Sequence, residues 1–359
     1  QGNGHTLNGG NSVQIMNIDT DISGNGGDAN GHVEIDNLTF QNGNSSGDGG
    51  GLYIRTGEAN ITLTSNTFSG NNAGGWGGGA FVWTQSGTIT LTNNTFSNNT
   101  ASSKGGGAYV NLYYDTATAN IYNNIIYGNT ANGVGNDGDD LYVGSDENGN
   151  GTGSPVNLYN NDLSCNNFDG SSTCLVVTDT DNYTQGNNIS QDPSFKNASV
   201  GDFHLNVASP CIDKGLNGAP SIPSTDFEGD ARIINSTVDI GADEFVPTTV
   251  TLTVTKDGTG SGTVNAQGCT LTWVGNTGTC TANDGTSITL SGEADTGSTF
   301  TGWSSGTGSA SSCSGTNPCT FPLTQDSGVT ATFTLTTSVT ISAATNNGDI
   351  KIETTTPGC

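Results

Sequence analysis

Acidic and amide side chains are concentrated in one short stretch near the middle of the chain, NDGDDLYVGSDENGNG. The residues that offer calcium-type oxygen ligands are Asp137, Asp139, Asp140, Asp146, Asn148 and Asn150. The run DENGNG fits the first half of the D-x-[DN]-x-[DN]-G calcium loop, but Asn157 stands where that loop needs a bidentate glutamate. We therefore expect either a calcium site or a solvated acidic loop here, and no other cofactor.

Catalysis on a glycan would need partners for these carboxylates. Polysaccharide lyases combine calcium-binding carboxylates with a basic side chain, but the basic residues of the first 208 positions, Arg55, Lys104 and Lys196, are scattered. Asp139 and Asp140 alternate faces if they lie on a strand, whereas inverting hydrolysis needs two carboxylates that face one substrate. We therefore expect a non-catalytic protein, with a lyase or glycoside hydrolase as the least supported alternative.

The acidity extends over the whole chain. Asp and Glu number 33 against 7 Lys and Arg, which gives a formal net charge of −26. Such a surface repels nucleic acid and anionic membranes and attracts cations. No apolar run approaches the roughly 18 residues of a transmembrane helix. We expect no nucleic-acid partner and no membrane insertion.

Cysteine spacing indicates disulfides. The close pairs are Cys165 with Cys174, Cys269 with Cys280, and Cys313 with Cys319. Zinc binding is the alternative, but the chain has no CxxC motif and its histidines, His5, His32 and His204, are scattered. Disulfides predict an extracellular or cell-surface protein.

Composition and periodicity predict an all-β fold. Only 31% of the residues are hydrophobic and 55 are glycine, which fits a turn-rich protein with a narrow core. Apolar positions recur 28 residues apart, and each unit alternates apolar and polar residues with the period of a strand. The recurring residues are Val33, Ile35 and Phe40, then Ile61, Leu63 and Phe68, then Ile89, Leu91 and Phe96. Self-similarity at this period is typical of a solenoid.

Each repeat has two or three short strands, a glycine triplet and no helical segment, which predicts the coils of a parallel β-helix stacked about 4.8 Å apart. The residues expected to form one interior stack are Phe40, Phe68, Phe96, Ile126 and Leu163. An asparagine stands two residues before each of the last four, at Asn66, Asn94, Asn124 and Asn161. Asparagine tolerates turn conformations, and stacked amides can form a ladder between coils.

The repeat also resembles a known family. FSGN and FSNN, with GGA at 78–80 and 106–108, are similar to the FxxN and GGA[ILV] repeats of chlamydial polymorphic outer-membrane proteins and related bacterial β-helices. The resemblance implies a right-handed parallel β-helix over residues 1–208, at the surface of a bacterium or archaeon. The opening GNGHTLNGGNSVQIMNI resembles a first coil that normally has a strand before it.

Residues 209–247 resemble the choice-of-anchor Q segment of bacterial surface proteins, through matches that include DFEGDARI and DIGADE. Its charged residues are Asp213, Asp226, Arg232, Asp239 and Glu244. They suggest either a catalytic carboxylate cluster or a network of Arg232 with carboxylates in a cap over the open end of the solenoid. We favour the cap, because a solenoid end must be covered.

The last third of the chain is rich in threonine. Residues 248–335 resemble the β-grasp-like repeat of internalin-type surface proteins, with GSTFTGWSSG as its signature, which implies a small β-grasp-like or β-sandwich module. Trp273 and Trp303 are expected in its core, with a sugar-binding platform as the alternative. Residues 336–359 form a tail with strand signals at 338–342 and 349–353.

Two functions fit these features, and we favour the first. The first is a subunit of a cell-surface filament, in which the tail completes the first coil of the next copy by strand addition. Cys211 and Cys359, which remain after the local pairs, would join within or between chains. The second is an adhesin that binds glycans or cell wall through the helix face. Its candidate contacts are Trp76, Trp83, Tyr113 and Tyr114.

Overall fold

The computed structural model describes residues 5–20, 32–134, 137–145 and 153–336, together with the backbone of two short strands at 345–346 and 349–350. The chain divides into two compact units, Gln1–Val246 and Pro247–Cys359. The first is a parallel β-solenoid and the second is built from mainly antiparallel sheets, which confirms the predicted all-β fold.

Three long sheets of six parallel strands run along the solenoid, beside a short sheet of four. Sheet 1 contains His5–Asn8, Leu38–Gln41, Thr67–Ser69, Thr95–Ser97, Ile125–Tyr127 and Asp162–Leu163. Sheet 2 contains Met16–Asp19, Leu52–Thr56, Ala80–Thr84, Ala108–Leu112, Leu141–Ser145 and Leu175–Val177. Sheet 3 contains His32–Asp36, Asn60–Thr64, Thr88–Thr92, Thr118–Tyr122, Val156–Tyr159 and Tyr183–Gly186. Sheet 4 contains Asn44–Ser45, Asn72–Ala73, Thr100–Ala101 and Thr130–Ala131.

The predicted interior stack is confirmed. Phe40, Phe68 and Phe96 pair in register on sheet 1, and their ring centroids lie 4.7 and 4.5 Å apart. Ile126 and Leu163 continue the row, and all five side chains are fully buried. Side chains at alternate positions of each strand thus fill a narrow apolar core.

The predicted asparagine ladder is also present. The amide of Asn66 donates to Oδ1 of Asn94 at 3.1 Å, Asn94 donates to Asn124 at 3.0 Å, and Asn124 donates to Asn161 at 3.0 Å. The same amides donate to main-chain carbonyls, as Asn94 does to Leu63. Each buried amide thereby finds both its donors and its acceptor satisfied by neighbouring coils.

A second ladder was not predicted from the sequence. Asn71 donates to Asn99 at 2.9 Å, Asn99 donates to Asn129 at 2.9 Å, and Asn129 donates to a carboxylate oxygen of Asp140 at 3.0 Å. All three asparagines stand three residues after an interior stacking residue, and Asn71 and Asn99 occupy the last position of the FxxN motif. The motif therefore marks a structural amide at a corner of the coil.

Glycine triplets form another corner. Gly77 has φ of 67°, a left-handed conformation that favours glycine. A Cβ on Gly78 would lie 2.3 Å from the carbonyl oxygen of Gly106 in the next coil. The triplets therefore allow the main chains of successive coils to approach closely.

A hairpin of Phe195–Asn197 and Asp202–Leu205, with a 3-10 turn at Ala198–Val200, follows the last coil. Residues 209–247, here called the side segment, follow this hairpin. They were predicted to close the end of the solenoid, but they lie along its side. Three left-handed asparagines at successive coil corners, Asn93, Asn123 and Asn160, donate side-chain hydrogen bonds to the side segment. The accepting carbonyls belong to Asp239, Leu216 and Lys214 respectively.

The second unit has a five-stranded sheet and a three-stranded sheet around one core. In spatial order, the larger sheet contains Thr272–Val274, Thr277–Asn283, Thr249–Asp257, Ser327–Leu335 and Ser298–Thr307. The smaller contains Gly262–Gln267, Thr286–Ala294 and Cys319–Leu323, and a 3-10 turn spans Gly308–Ser312. Only Thr249–Asp257 and Ser327–Leu335 pair in parallel among these strands. Trp303 is buried and Trp273 packs at the edge of the core.

The predicted tail strands lie almost wholly outside the described residues. Thr345–Asn346 and Asp349–Ile350 form a short antiparallel pair. Strand addition by the tail therefore stays a prediction.

We predict that the ladder contributes strongly to stability. Asn94→Ala removes the acceptor for one side-chain N–H and the main-chain N–H of Asn66, and the donor to the Leu63 carbonyl, so the free energy of unfolding should fall by about 2–4 kcal/mol. Asn72→Ala is the matched control, because its amide bonds to Asn44 on the exposed surface, and it should cost less than about 0.5 kcal/mol. Equal losses in urea titrations would contradict a special role for the buried ladder.

Candidate functional site

Three of the six predicted calcium ligands lie among the described residues. Asp140 is fully buried at the end of the second ladder, where one carboxylate oxygen accepts from Asn129 and the other accepts the Ser164 N–H at 2.7 Å. Asp139 accepts the Ala131 N–H at 2.8 Å, and Asp137 is buried. Asp140 is therefore a structural residue. Asp146, Asn148 and Asn150 lie outside the described residues, and calcium binding stays a prediction.

The three predicted local disulfides are formed: Cys165 with Cys174, Cys269 with Cys280, and Cys313 with Cys319. Cys211 is buried with a free thiol, and its Sγ donates to Oδ2 of Asp162 at 3.3 Å. A bond through Cys211 would require this region to open. Cys359 lies outside the described residues.

The charged residues of the side segment come together, but the arginine does not pair with them directly. The buried Arg232 guanidinium donates to the main-chain carbonyls of Gly241 and Ala242, and the described residues contain no carboxylate within 4 Å that pairs with it. The carboxylates instead accept main-chain N–H groups. Those of Asp213 and Phe245 donate to Asp239, those of Ile234 and Asp239 donate to Glu244, and that of Glu244 donates to Asp226. This network organises the backbone of the segment and commits the carboxylates of Asp226, Asp239 and Glu244 to main-chain groups.

A row of aromatic side chains covers the outer face of sheet 2. Tyr53, Phe81, Tyr109 and Tyr142 occupy one register position in successive coils, with ring centroids 5.0, 5.4 and 5.0 Å apart. They point outward because residues on either side of each ring, such as Leu52 and Ile54, fill the core. The period of the strand therefore places a continuous aromatic row outside the solenoid, in which Phe81, Tyr109 and Tyr142 are themselves buried.

Trp76 and Trp83 stand on the two sides of this row. Trp76 stacks on Tyr109 at 5.1 Å and is 36% exposed. Trp83 lies in the next outward row, under the Arg55 guanidinium at 5.0 Å and beside Tyr113 at 5.8 Å. A cavity of about 200 Å³ opens between these side chains. Its lining residues, here called the aromatic groove, are Tyr53, Arg55, Trp76, Phe81, Trp83, Asn111 and Tyr113.

Asn111 supplies a polar group to the groove. It pairs in register between Trp83 and Gly144 and is only 2% exposed. Its buried Oδ1 accepts no hydrogen bond from the described residues. An unpaired buried acceptor costs about 1–3 kcal/mol, so a turn of the Asn111 side chain that brings this oxygen to a ligand in the groove would recover part of that cost.

The aromatic residues of this site were predicted from the sequence, but its polar residue was not. Three of the four aromatic contacts predicted for an adhesin, Trp76, Trp83 and Tyr113, line the groove, and the fourth, Tyr114, lies against Tyr113 at 4.9 Å. Asn111 was missed, although its position one repeat after Trp83 was a signal that it points outward.

A larger cavity of about 340 Å³ lies between the hairpin turn and the coil corners. Its lining residues are Gln41, Asn42, Ser69, Gly70, Asn98, Ala198, Ser199 and Gly201. It has neither aromatic nor charged side chains, so it offers less chemistry for recognising a ligand than the aromatic groove.

No protein-family model matches this sequence, and no curated protein or solved structure is detectably similar to it. The resemblances to polymorphic outer-membrane proteins, choice-of-anchor Q segments and internalin-type repeats therefore stay predictions, while the parallel solenoid is observed directly. Within the described ranges, no helix is long and apolar enough to span a membrane.

Two buried carboxyls predict how stability depends on pH. Burial raises the pKa of Asp140 to about 6 and that of Asp162 to about 7. Both groups hold protons more tightly when folded, so their contribution to stability is full near pH 4 and is lost as pH rises through these values. Tm should therefore fall between about pH 4 and pH 7, and further to about pH 8 because burial raises the pKa of Glu244 to about 8. Asp162→Asn should flatten the part of this decline below about pH 7.

Glu58→Gln, which removes an exposed charge, is the control and should follow the wild type. If Asp162→Asn and the wild type lose the same number of degrees over this pH range, Asp162 does not carry the effect.

Proposed function

We propose that this chain is an extracellular, non-catalytic surface protein that binds a neutral glycan in the aromatic groove. The observation that carries the proposal is the groove itself, in which aromatic rings and the Asn111 amide line one cavity, and in which the buried Oδ1 of that amide has no partner among the described residues. Small-molecule sites typically combine such apolar walls with a few placed polar groups.

A sugar ring suits this combination. Its C–H faces can pack against Trp76 and Trp83, while one of its hydroxyls donates to Asn111. The indole and phenol groups also have polar edges that can bond to further hydroxyls. The cavity, at about 200 Å³, suits one sugar residue, at the end of a glycan or as a side branch.

Charge favours a neutral ligand over an acidic one. The chain has a net charge of −26, which repels polyanionic glycans over long distances. The cation nearest the groove, Arg55, lies over Trp83 and 3.9 Å from Asp19. Its charge is therefore partly compensated within the protein.

Three disulfides support an extracellular location, because such bonds persist in oxidising compartments. The proposed setting is the surface of a bacterium or archaeon, with a glycan of a host or cell wall as the partner. Self-assembly into filaments through the tail stays a prediction, because the side chains that would carry it lie outside the described residues.

The test is a glycan array followed by titration of the strongest neutral ligand. Trp83→Ala should weaken binding by about 10-fold or more, through loss of a buried aromatic contact. Asn111→Leu should weaken it roughly 3- to 10-fold, the effect of one neutral hydrogen bond. Asn111→Leu should change Tm little on account of the oxygen, which has no partner among the described residues, so a Tm measurement separates loss of binding from loss of folding.

Tyr122→Ala is the control, since Tyr122 stacks on Tyr159 at 5.6 Å on the outer face of sheet 3. It should leave glycan affinity unchanged. Absence of any glycan ligand, or equal losses in Tyr122→Ala and Trp83→Ala, would refute the proposed site.

A further inference from the structure

A group of metal-ligating side chains lies on the side of the solenoid unit, in parts of the chain that form neither the aromatic groove nor the predicted calcium loop. His204, Glu228 and Asp243 each offer one ligand atom, and these atoms all lie within 4.8 Å of one another. They come from three separate places: the hairpin strand Asp202–Leu205, the turn after Asp226, and the end of the side segment. A single ion would therefore connect three parts of the chain.

The two nitrogens of the His204 ring both face carboxylates. Nδ1 lies 2.5 Å from Oδ1 of Asp202, and Nε2 lies 2.9 Å from Oε2 of Glu228. A neutral imidazole has only one N–H, so it can donate to only one of these oxygens. The other nitrogen would then direct a lone pair at a carboxylate, which is repulsive unless the ring carries a second proton or a metal ion lies between them.

Asp202 suits the role of the orienting partner. A metal-bound histidine usually donates its other ring N–H to a carboxylate, which fixes the tautomer and directs the lone pair toward the metal. In the tautomer that carries its proton on Nδ1, that N–H donates to Asp202 and Nε2 faces the cluster. Phe227 packs against the imidazole, with ring centroids 5.3 Å apart, and helps to hold the ring.

The carboxylates of this region differ in how many hydrogen bonds they already accept. Asp243 is buried, and its Oδ2 accepts the Leu205 N–H at 2.8 Å, whereas the described residues give its Oδ1 no hydrogen bond. Asp226, a neighbour of Glu228, accepts four main-chain N–H groups and is committed to the turn. The acidic group of Asp226, Glu228 and Asp230 therefore carries no site by itself, and Glu228 is available to His204 and Asp243.

We propose that His204, Glu228 and Asp243 bind a divalent transition-metal ion, with Asp202 as the positioning residue for the imidazole. One nitrogen and two carboxylate ligands suit Zn²⁺ or a neighbouring first-row ion better than Ca²⁺, which prefers six to eight oxygens. Three protein ligands leave a position for water, as in open zinc sites. The ion would fasten the side segment to the hairpin, a role independent of glycan binding.

The probe is Zn²⁺ added to the full chain after treatment with a chelator and its removal. The wild type should bind one equivalent that Glu228→Gln and His204→Gln each lose. Asp202→Asn should weaken this equivalent by about 10–100-fold without removing it. His32→Gln is the matched control, because His32 lies 3.7 Å from Glu34 on the surface and is in neither candidate metal group, and it should bind like the wild type.

Thermal unfolding gives a second readout. Zinc at a hundred times its dissociation constant should raise the Tm of the solenoid unit by roughly 5–10 °C in the wild type and in His32→Gln, but not in Glu228→Gln. Glu228 is exposed and its side chain supports no main-chain group, so its variant should fold normally. No saturable zinc binding by the wild type would overturn the proposal in favour of an imidazolium that bridges Asp202 and Glu228. Equal zinc binding by Glu228→Gln would place the ion elsewhere.

Discussion

The structure of the solenoid depends on the need to satisfy buried amides. An asparagine side chain inside a coil corner has two donor hydrogens and an acceptor oxygen, and no water reaches it. The described ladders satisfy these groups by placing the same side chain in the next coil, as between Asn94 and Asn124. A coil that slipped by one residue would lose these bonds and would also turn its apolar side chains outward. The ladders and the apolar stack therefore enforce a single register.

This register also determines the outer surface. Because residues alternate faces along a strand, a fixed interior row such as Ile54, Val82 and Val110 implies a fixed exterior row beside it. On sheet 2 that exterior row is aromatic, and the corner residue Trp76 stacks on its Tyr109 ring. The groove is thus a product of the same periodicity that builds the core. Variation in the outward residues, such as Arg55, Trp83 and Asn111 at one register position, can create a site without changing the fold.

Much of the fold was predictable because a strand pattern that is ambiguous alone recurs in successive coils. A single I-T-L-T stretch is ambiguous, but its recurrence every 28 residues in register with Phe68 and Phe96 identifies the interior positions. The second ladder was readable in the FxxN motif, yet its asparagines were not assigned a structural role. Asp140 was grouped with the acidic loop because its neighbours in sequence are acidic, whereas its partner in space is the amide of Asn129.

The side segment and the sites were harder to predict, because their contacts join residues far apart in the sequence. Asn93 and Asp239 are separated by 146 positions, and nothing in either neighbourhood indicates that one binds the other. The His204 cluster likewise depends on a hairpin and a turn that only the folded chain brings together. Aromatic residues of the groove were identified by type, but the unpaired oxygen of Asn111 is a property of packing and has no signature in the sequence.

A crystal structure of the protein with its best neutral glycan ligand would test the proposed function most directly. We expect a sugar ring packed against Trp76 and Trp83, with one hydroxyl donating to Oδ1 of Asn111. Glycan bound on another face, or an Asn111 oxygen that bonds to an ordered water while the groove stays empty at saturating ligand, would contradict the account.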